Sequence, residues 1–250
     1  MSSNPRIAPP YGENTDFVLI SSDGMKFEVH SHMLKAASSV LRDMLETCQK
    51  SDAEKEAKLE LSDKQIESSS IIALFLKIIY GKDLKKPSLL DFHKLQQYDH
   101  LNQLIMKYDA SYALQHIKTC FRLWFMQEGV HADHYFLYAC TLDDLELAKM
   151  VISSGPFTAI WLGEPANKVR VTHPTNNLSE RNIMDIGGWD ISRFNRVPDD
   201  YKFAFFRAER EASRKGGGRR QGGGGGKIDY EDMGRRFHST MLLLRNLSPQ

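Results

Sequence analysis

Two short histidine clusters are the residues of this 250-residue chain best suited to chemistry. His30-Ser31-His32 sets imidazoles at alternate positions, which share one face of a strand and so resemble a metal-binding pair. No third ligand follows at compatible spacing, and His30 is expected to close a strand as a structural residue. His131-Ala132-Asp133-His134, beside Tyr135, has a spacing that suits a loop metal, but a solvated helix start accounts for it more simply. The carboxylate pairs Asp143-Asp144 and Asp199-Asp200 stand at expected helix starts, where capping explains them. Cys48, Cys120 and Cys140 are odd in number and widely spaced, with no Cys-x-x-Cys, which argues against a disulfide framework and a zinc ribbon. Cys120 and Cys140 sit among Phe121, Trp124, Phe136 and Leu142, the setting of inert core thiols. The sequence has no Gly-x-Ser-x-Gly elbow, Walker loop, dinucleotide fingerprint or His-Glu-x-x-His, and Gly81-Lys82-Asp83 lacks the glycine and hydroxyl a phosphate loop needs. No catalytic set, metal or cofactor is implied.

The remaining chemical candidate is basic. Arg207, Arg210, Arg214, Lys215, Arg219 and Arg220 lie beside or within a segment, 213–227, that holds eight of the 17 glycines. Residues 202–250 carry 11 Lys and Arg against five acids, whereas residues 1–201 carry 22 against 27. The near-neutral total of +1 is therefore an acidic body cancelled by a basic tail. Arginine beside glycine suits weak, sequence-independent contact with RNA or anionic surfaces, or a nuclear import signal. The segment lacks repeated Arg-Gly-Gly units and interleaved aromatics, so a solubilising linker is the preferred reading over a nucleic-acid site built on Arg214, Lys215, Arg219 and Arg220.

A chain of this length makes one or two domains and buries roughly 70–75% of its unfolded surface. The first ten residues offer no signal-peptide core, and the longest apolar run, Ile71 to Tyr80, is broken by Lys77 and too short to cross a bilayer. The expected setting is soluble and intracellular, in cytoplasm or nucleus, with the sequons at Asn177 and Asn246 as chance matches.

The elements needed to position these residues follow from periodicity. Phe17 to Ile20 reads as a strand buried on both faces. Asp23-Gly24 then turns the chain, and Met25, Phe27 and Val29 alternate with polar residues in a second strand. Met33, Leu34, Ala36 and Ala37 open a short helix; Val40, Leu41, Met44, Leu45 and Cys48 follow at helical spacing. Lys58 to Ser62 alternates as a short strand, and Ile71 to Tyr80 is an enclosed helix stopped by Gly81. Leu104, Tyr108, Tyr112, Ile117, Phe121 and Trp124 track one long helix or two meeting near Asp109. Thr141 to Asp144 has capping-box spacing ahead of Leu145, Leu147, Ala148 and Val151. A short helix is expected at Tyr201 to Arg207. An amphipathic turn and a half around Phe237, Met241 and Leu244 is too short to be stable alone.

This order of strand, Asp-Gly turn, strand, short helix, longer helix, strand and enclosed helix resembles the BTB/POZ family. The residues that carry the likeness are Asp16-Phe-Val-Leu, the strand ending in His30, Leu34-Lys-Ala-Ala-Ser38, Leu59-Glu-Leu61 and Ile79-Tyr80-Gly81, with Lys107-Tyr108-Asp109 similar to a turn in its closing helices. The resemblance implies an α+β fold, a small sheet flanked by helices, over residues 14–120. An arm at 1–13 precedes it. An all-α extension at 121–210, similar to that of fungal BTB proteins, a Gly/Arg linker at 211–227 and a tail at 228–250 follow. It also implies a non-enzymatic interaction module that forms homodimers, with Asp16, His30, Leu34, Ser38 and Tyr80 as signature residues. Met33, Leu34, Ala36 and Ala37 are its candidate self-association surface, and a cullin ubiquitin-ligase scaffold or a transcriptional complex its candidate partner. Ser31 stands where the family often has Lys or Arg, and the loop 51–57 has only Ala53 as a poor match to the motif of cullin adaptors.

Overall fold

A computed structural model describes residues 14–49, 57–87, 92–127, 132–155, 184, 186–189, 191–215 and 228–247. The expectations for the arm 1–13, the loop 51–56 with Ala53, His131, Asn177, Arg219 and Arg220 lie outside those residues. The chain divides into two compact units between Cys120 and Phe121.

The first unit is built on three strands, β1 (Phe17–Ile20), β2 (Lys26–Val29) and β3 (Lys58–Glu60), in the order β2-β1-β3. β1 pairs antiparallel with β2, Leu19 opposite Phe27, and parallel with β3, Leu19 opposite Leu59. As the central strand it is covered on both faces, which is why its sequence is continuously apolar. The edge strand β2 instead alternates, with Phe27 and Val29 inward. Gly24 has φ of +81°, a conformation that costs glycine nothing, and closes the β1–β2 turn. Helices α1 (Ser31–Ala37), α2 (Ser39–Gln49), α3 (Ser69–Ile79), α4 (Phe92–Lys107) and α5 (Ser111–Phe125) complete the element order up to the boundary, which falls within α5. α1 packs on α2 and α3, and α3 on α4. α3 buries Ile71, Ile72, Phe75, Leu76, Ile78 and Ile79 and ends at Gly81, φ +67°. The break between α4 and α5 falls at Asp109, itself at φ +45°, so two helices stand where the periodicity left one or two open. Tyr112 is exposed and does not belong to their buried face.

The second unit is helical: α6 (Ala132–Thr141), α7 (Leu145–Ser153), a 3-10 turn (Ile186–Gly188), α8 (Ile191–Asn195), α9 (Asp199–Lys215) and α10 (Tyr230–Leu247). Phe136 is its hub, meeting Trp189, Tyr201, Phe205 and Phe237 edge-on at 5.8–6.4 Å between ring centres. Four expectations change here. Thr141 ends α6 and does not cap; Asp144 caps α7, accepting from the Leu147 amide at 3.1 Å. Asp133 is not at a solvated helix start but is fully buried, facing the Arg193 guanidinium. α9 is 17 residues long and reaches Lys215, five residues into the segment read as linker from position 211. The tail is not a turn and a half but an 18-residue helix packed on α9 and α7.

That last difference has a tertiary cause. Met233, Phe237 and Met241 recur every four residues and are buried, with Thr240 beside them. The first two turns of α10, Tyr230 to Arg236, look polar in sequence because their buried side is made by Met233 and Gly234 alone. At Gly234 the helix approaches α7 so closely that a Cβ would overlap the Ser153 hydroxyl and stand 3.1 Å from the Lys149 carbonyl oxygen. Helix stability of this kind comes from docking, not propensity. Gly234→Ala is expected to destabilise the second unit by about 1–3 kcal/mol through overpacking, read as a lower urea midpoint for the chain. Ending the chain at Lys227 should strip the cover from Phe136 and Tyr201 and produce dye binding to exposed apolar surface.

Candidate functional site

The candidate site of the first unit is the surface around α1, and it is held in place by carboxylates that reach across the fold. Asp16, just before β1, accepts from the Ser31 amide at 2.6 Å and the Ser31 hydroxyl at 2.5 Å. It thereby satisfies the amino end of α1 from 15 residues away, because His30, the residue that precedes α1, supplies no side-chain cap. Burial opposes the charge on Asp16, but the Ser31 bonds outweigh it and hold the carboxyl below its ordinary value. His30, directly after β2, is locked by Tyr80, whose hydroxyl accepts from the His30 amide at 2.9 Å and lies 3.0 Å from its Nδ1. Burial in turn raises the Tyr80 phenol. Ser38 separates α1 from α2: its hydroxyl donates to the Tyr108 carbonyl oxygen and accepts from the Leu41 amide at 2.9 Å. Its neighbour Ser39 donates to Asp109 at 2.8 Å. Asp23 repeats the device, accepting from the Ser69 amide at 2.9 Å and hydroxyl at 2.6 Å at the start of α3.

The residue that the sequence reading missed is Glu67. Its side chain is 2% exposed and accepts four hydrogen bonds. Oε2 takes the Ser62 and Asp63 amides at 2.8 and 2.7 Å; Oε1 takes Lys107 Nζ and the Tyr108 hydroxyl, both at 2.6 Å. Burial works against ionisation, yet the Lys107 and Tyr108 bonds keep the carboxyl below its ordinary range. The Glu67 hydrogen bond raises Lys107 correspondingly, and burial with the same carboxylate raises the Tyr108 phenol. Glu67 stands in Asp63-Lys-Gln-Ile-Glu67, where nothing in periodicity or spacing distinguishes it from a solvated acid. The Lys107-Tyr108 pair was the only visible signal of its partners.

The signature residues thus act as joints. Asp16, His30, Ser38 and Tyr80 bond to backbone, to the Ser31 hydroxyl and to one another, and Leu34 is fully buried. Of the candidate surface, Leu34 and Ala37 point into the core, so they drop out of it; Ala36 is exposed and Met33 half-exposed, with His32 exposed beside them. The His30 and His32 rings lie 5.4 Å apart, and no group of three His, Cys, Asp or Glu among the described residues is placed to hold a metal. Burial raises the thiols of Cys120 and, further, Cys140, opposite to what a nucleophile needs. Arg214 and Lys215 form the last residues of α9. No described helix is long and apolar enough to cross a membrane.

Removing Glu67 leaves a buried phenol and two amides without their acceptor, and Lys107 with only Asp63, 3.6 Å away. Glu67→Ala is expected to cost about 2–4 kcal/mol by denaturant titration, part of the ion pair being screened because Lys107 is 42% exposed. Because Asp16, Asp23 and Glu67 all have folded values below their unfolded ones, their stabilisation is complete above about pH 5 and is lost as pH falls through the lowered values. The urea midpoint should hold steady from pH 7 to about pH 5 and fall below about pH 4, less steeply in Glu67→Gln.

No curated protein matches the chain. Residues 10–120 match the family model described as BTB/POZ domain, a fold with a small three-stranded sheet among many helices, as seen here. BTB domains are generally protein–protein interaction modules that commonly self-associate. The first unit of this chain therefore matches the BTB/POZ domain model and has its fold.

Proposed function

We propose that this protein is a non-enzymatic adaptor that self-associates through its BTB domain as a homodimer and recruits a protein partner. The observation that carries the reading is the spending of the polar signature: Asp16, His30, Ser38 and Tyr80 are engaged in holding α1 and its ends, which leaves Met33, Ala36 and His32 as its outward face. A cullin ubiquitin-ligase scaffold and a transcriptional complex are the partner classes the family likeness favours, with the chain acting in cytoplasm or nucleus. The second unit, on this reading, is a helical extension of the kind found in fungal BTB proteins. The alternative, a nucleic-acid-associated regulator, is favoured by one observation only, the net +6 of residues 202–250.

Light scattering of the full chain at tens of micromolar tests the proposal. A mass twice 28.6 kDa is expected, and Ala36→Asp should return it to the monomer value by placing a charge in a desolvated contact. A wild-type monomer at that concentration would sink the reading. For the alternative, deletion of residues 209–227 should abolish RNA binding that also falls steeply between 50 and 200 mM salt, taken here as a roughly 10–1,000-fold loss for a few phosphate contacts.

A further inference from the structure

The second unit has a groove of about 440 Å³ between α9 and α10, lined by Arg207, Glu211, Asp232, Arg235, Arg236 and Ser239, with Thr240 and Leu243 also on its walls. Its charges are ordered. Arg207 Nε donates to Glu211 Oε1 at 3.0 Å, and Arg236 Nη1 donates to Glu211 Oε2 at 2.9 Å. Arg236 Nε donates to Asp232 Oδ2 at 2.6 Å, while Arg235 Nη2 lies 3.6 Å from Asp232 Oδ1. The sequence of contacts is therefore cation, anion, cation, anion, cation, and it ends on an arginine at each side. Both end arginines are more than half exposed, and among the described residues of the groove each meets one acid, although a guanidinium carries five donors. The two acids pre-position the guanidiniums, and the Arg207 and Arg236 bonds keep Glu211 below its ordinary value, so it stays charged and limits how much negative charge the groove accepts.

We infer that this groove binds one carboxylate side chain, Asp or Glu, of a partner polypeptide, with an apolar neighbour resting on Leu243. Three cations and two anions leave an excess of one, which a carboxylate cancels and a phosphate dianion would overshoot. Paired guanidinium donors match the two oxygens of a carboxylate. Leu243, 60% exposed at the wall, supplies the apolar contact that a free anion has no use for. The groove exists only while α10 lies on α9, since Arg207 and Glu211 come from one helix and the remaining groups from the other. Occupancy should therefore also favour the docked tail. This surface is separate from the α1 face, and its failure would leave the self-association reading untouched.

A random heptapeptide library displayed on phage and selected on the full chain tests this, with the Arg207→Gln, Arg235→Gln double variant as the comparison. Both side chains are largely exposed, so the variant should fold, which circular dichroism checks. Selected peptides are expected to carry Asp or Glu next to a large apolar residue, and at least ten times fewer should be retained by the variant. Recovered peptides resynthesised with Gln or Asn at that position should bind at least tenfold more weakly. Selection with no acidic enrichment, or equal retention by the folded variant, overturns the inference. Displacement of the peptides by inorganic phosphate at 10 mM, but not by chloride at matched ionic strength, would assign the groove to phosphate and overturn the carboxylate assignment.

Discussion

One buried carboxylate organises the first unit. Glu67 gathers two backbone amides, an ammonium and a phenol into a single site, and so joins the segment after β3 to the end of α4 and the turn beyond it. Its own carbonyl oxygen receives the Ser22 amide at 2.9 Å, which ties in the β1–β2 hairpin as well. A charge taken out of water is tolerated only when its oxygens are fully satisfied, and here four short bonds do so. The interaction is cooperative in consequence: weakening any one donor leaves the others serving an imperfectly paired ion.

The same device recurs at smaller scale. Asp16 serves the start of α1 and Asp23 the start of α3, each from the sheet side and each replacing a local cap with a tertiary one. Helix placement is thereby coupled to strand placement, so α1 can present its outer face only when β1 and β2 are correctly paired. In the second unit the Arg122–Asp144 pair plays the matching part: Nε and Nη2 of Arg122 donate at 2.9 and 2.5 Å to a carboxylate that also caps α7. Function by contact needs rigid surfaces, and these bonds supply the rigidity where hydrophobic packing alone would leave helices free to slide.

What the sequence disclosed, and what it hid, follows from the range of each interaction. The β1–β2 hairpin, the enclosed α3 and its stop at Gly81 were legible because alternation, helical period and positive φ are local properties. The joints of Asp16, Tyr80 and Ser38 entered as a family likeness, and the structure supplies their physical meaning. Glu67 was invisible because the side chains it pairs with, Lys107 and Tyr108, lie about 40 residues away. Asp133 was misjudged for the same reason, its partner Arg193 being 60 residues on. α10 was underestimated because a glycine at a close helix contact weakens the local pattern while strengthening the tertiary one. Leu34 and Ala37 entered the candidate surface because a short helix read alone cannot say which side its neighbouring helices cover.

On the proposed function, α1 is the face through which two copies meet. Mixing unlabelled and nitrogen-15-labelled chain, treating with an amine cross-linker and sequencing the peptides by mass spectrometry tests it directly. Lys35, within α1, is the reporter. The account predicts mixed-isotope links joining Lys35 of one copy to Lys35 of another, lost in Ala36→Asp. The absence of any Lys35–Lys35 link, or mixed links confined to lysines of the second unit, would contradict it.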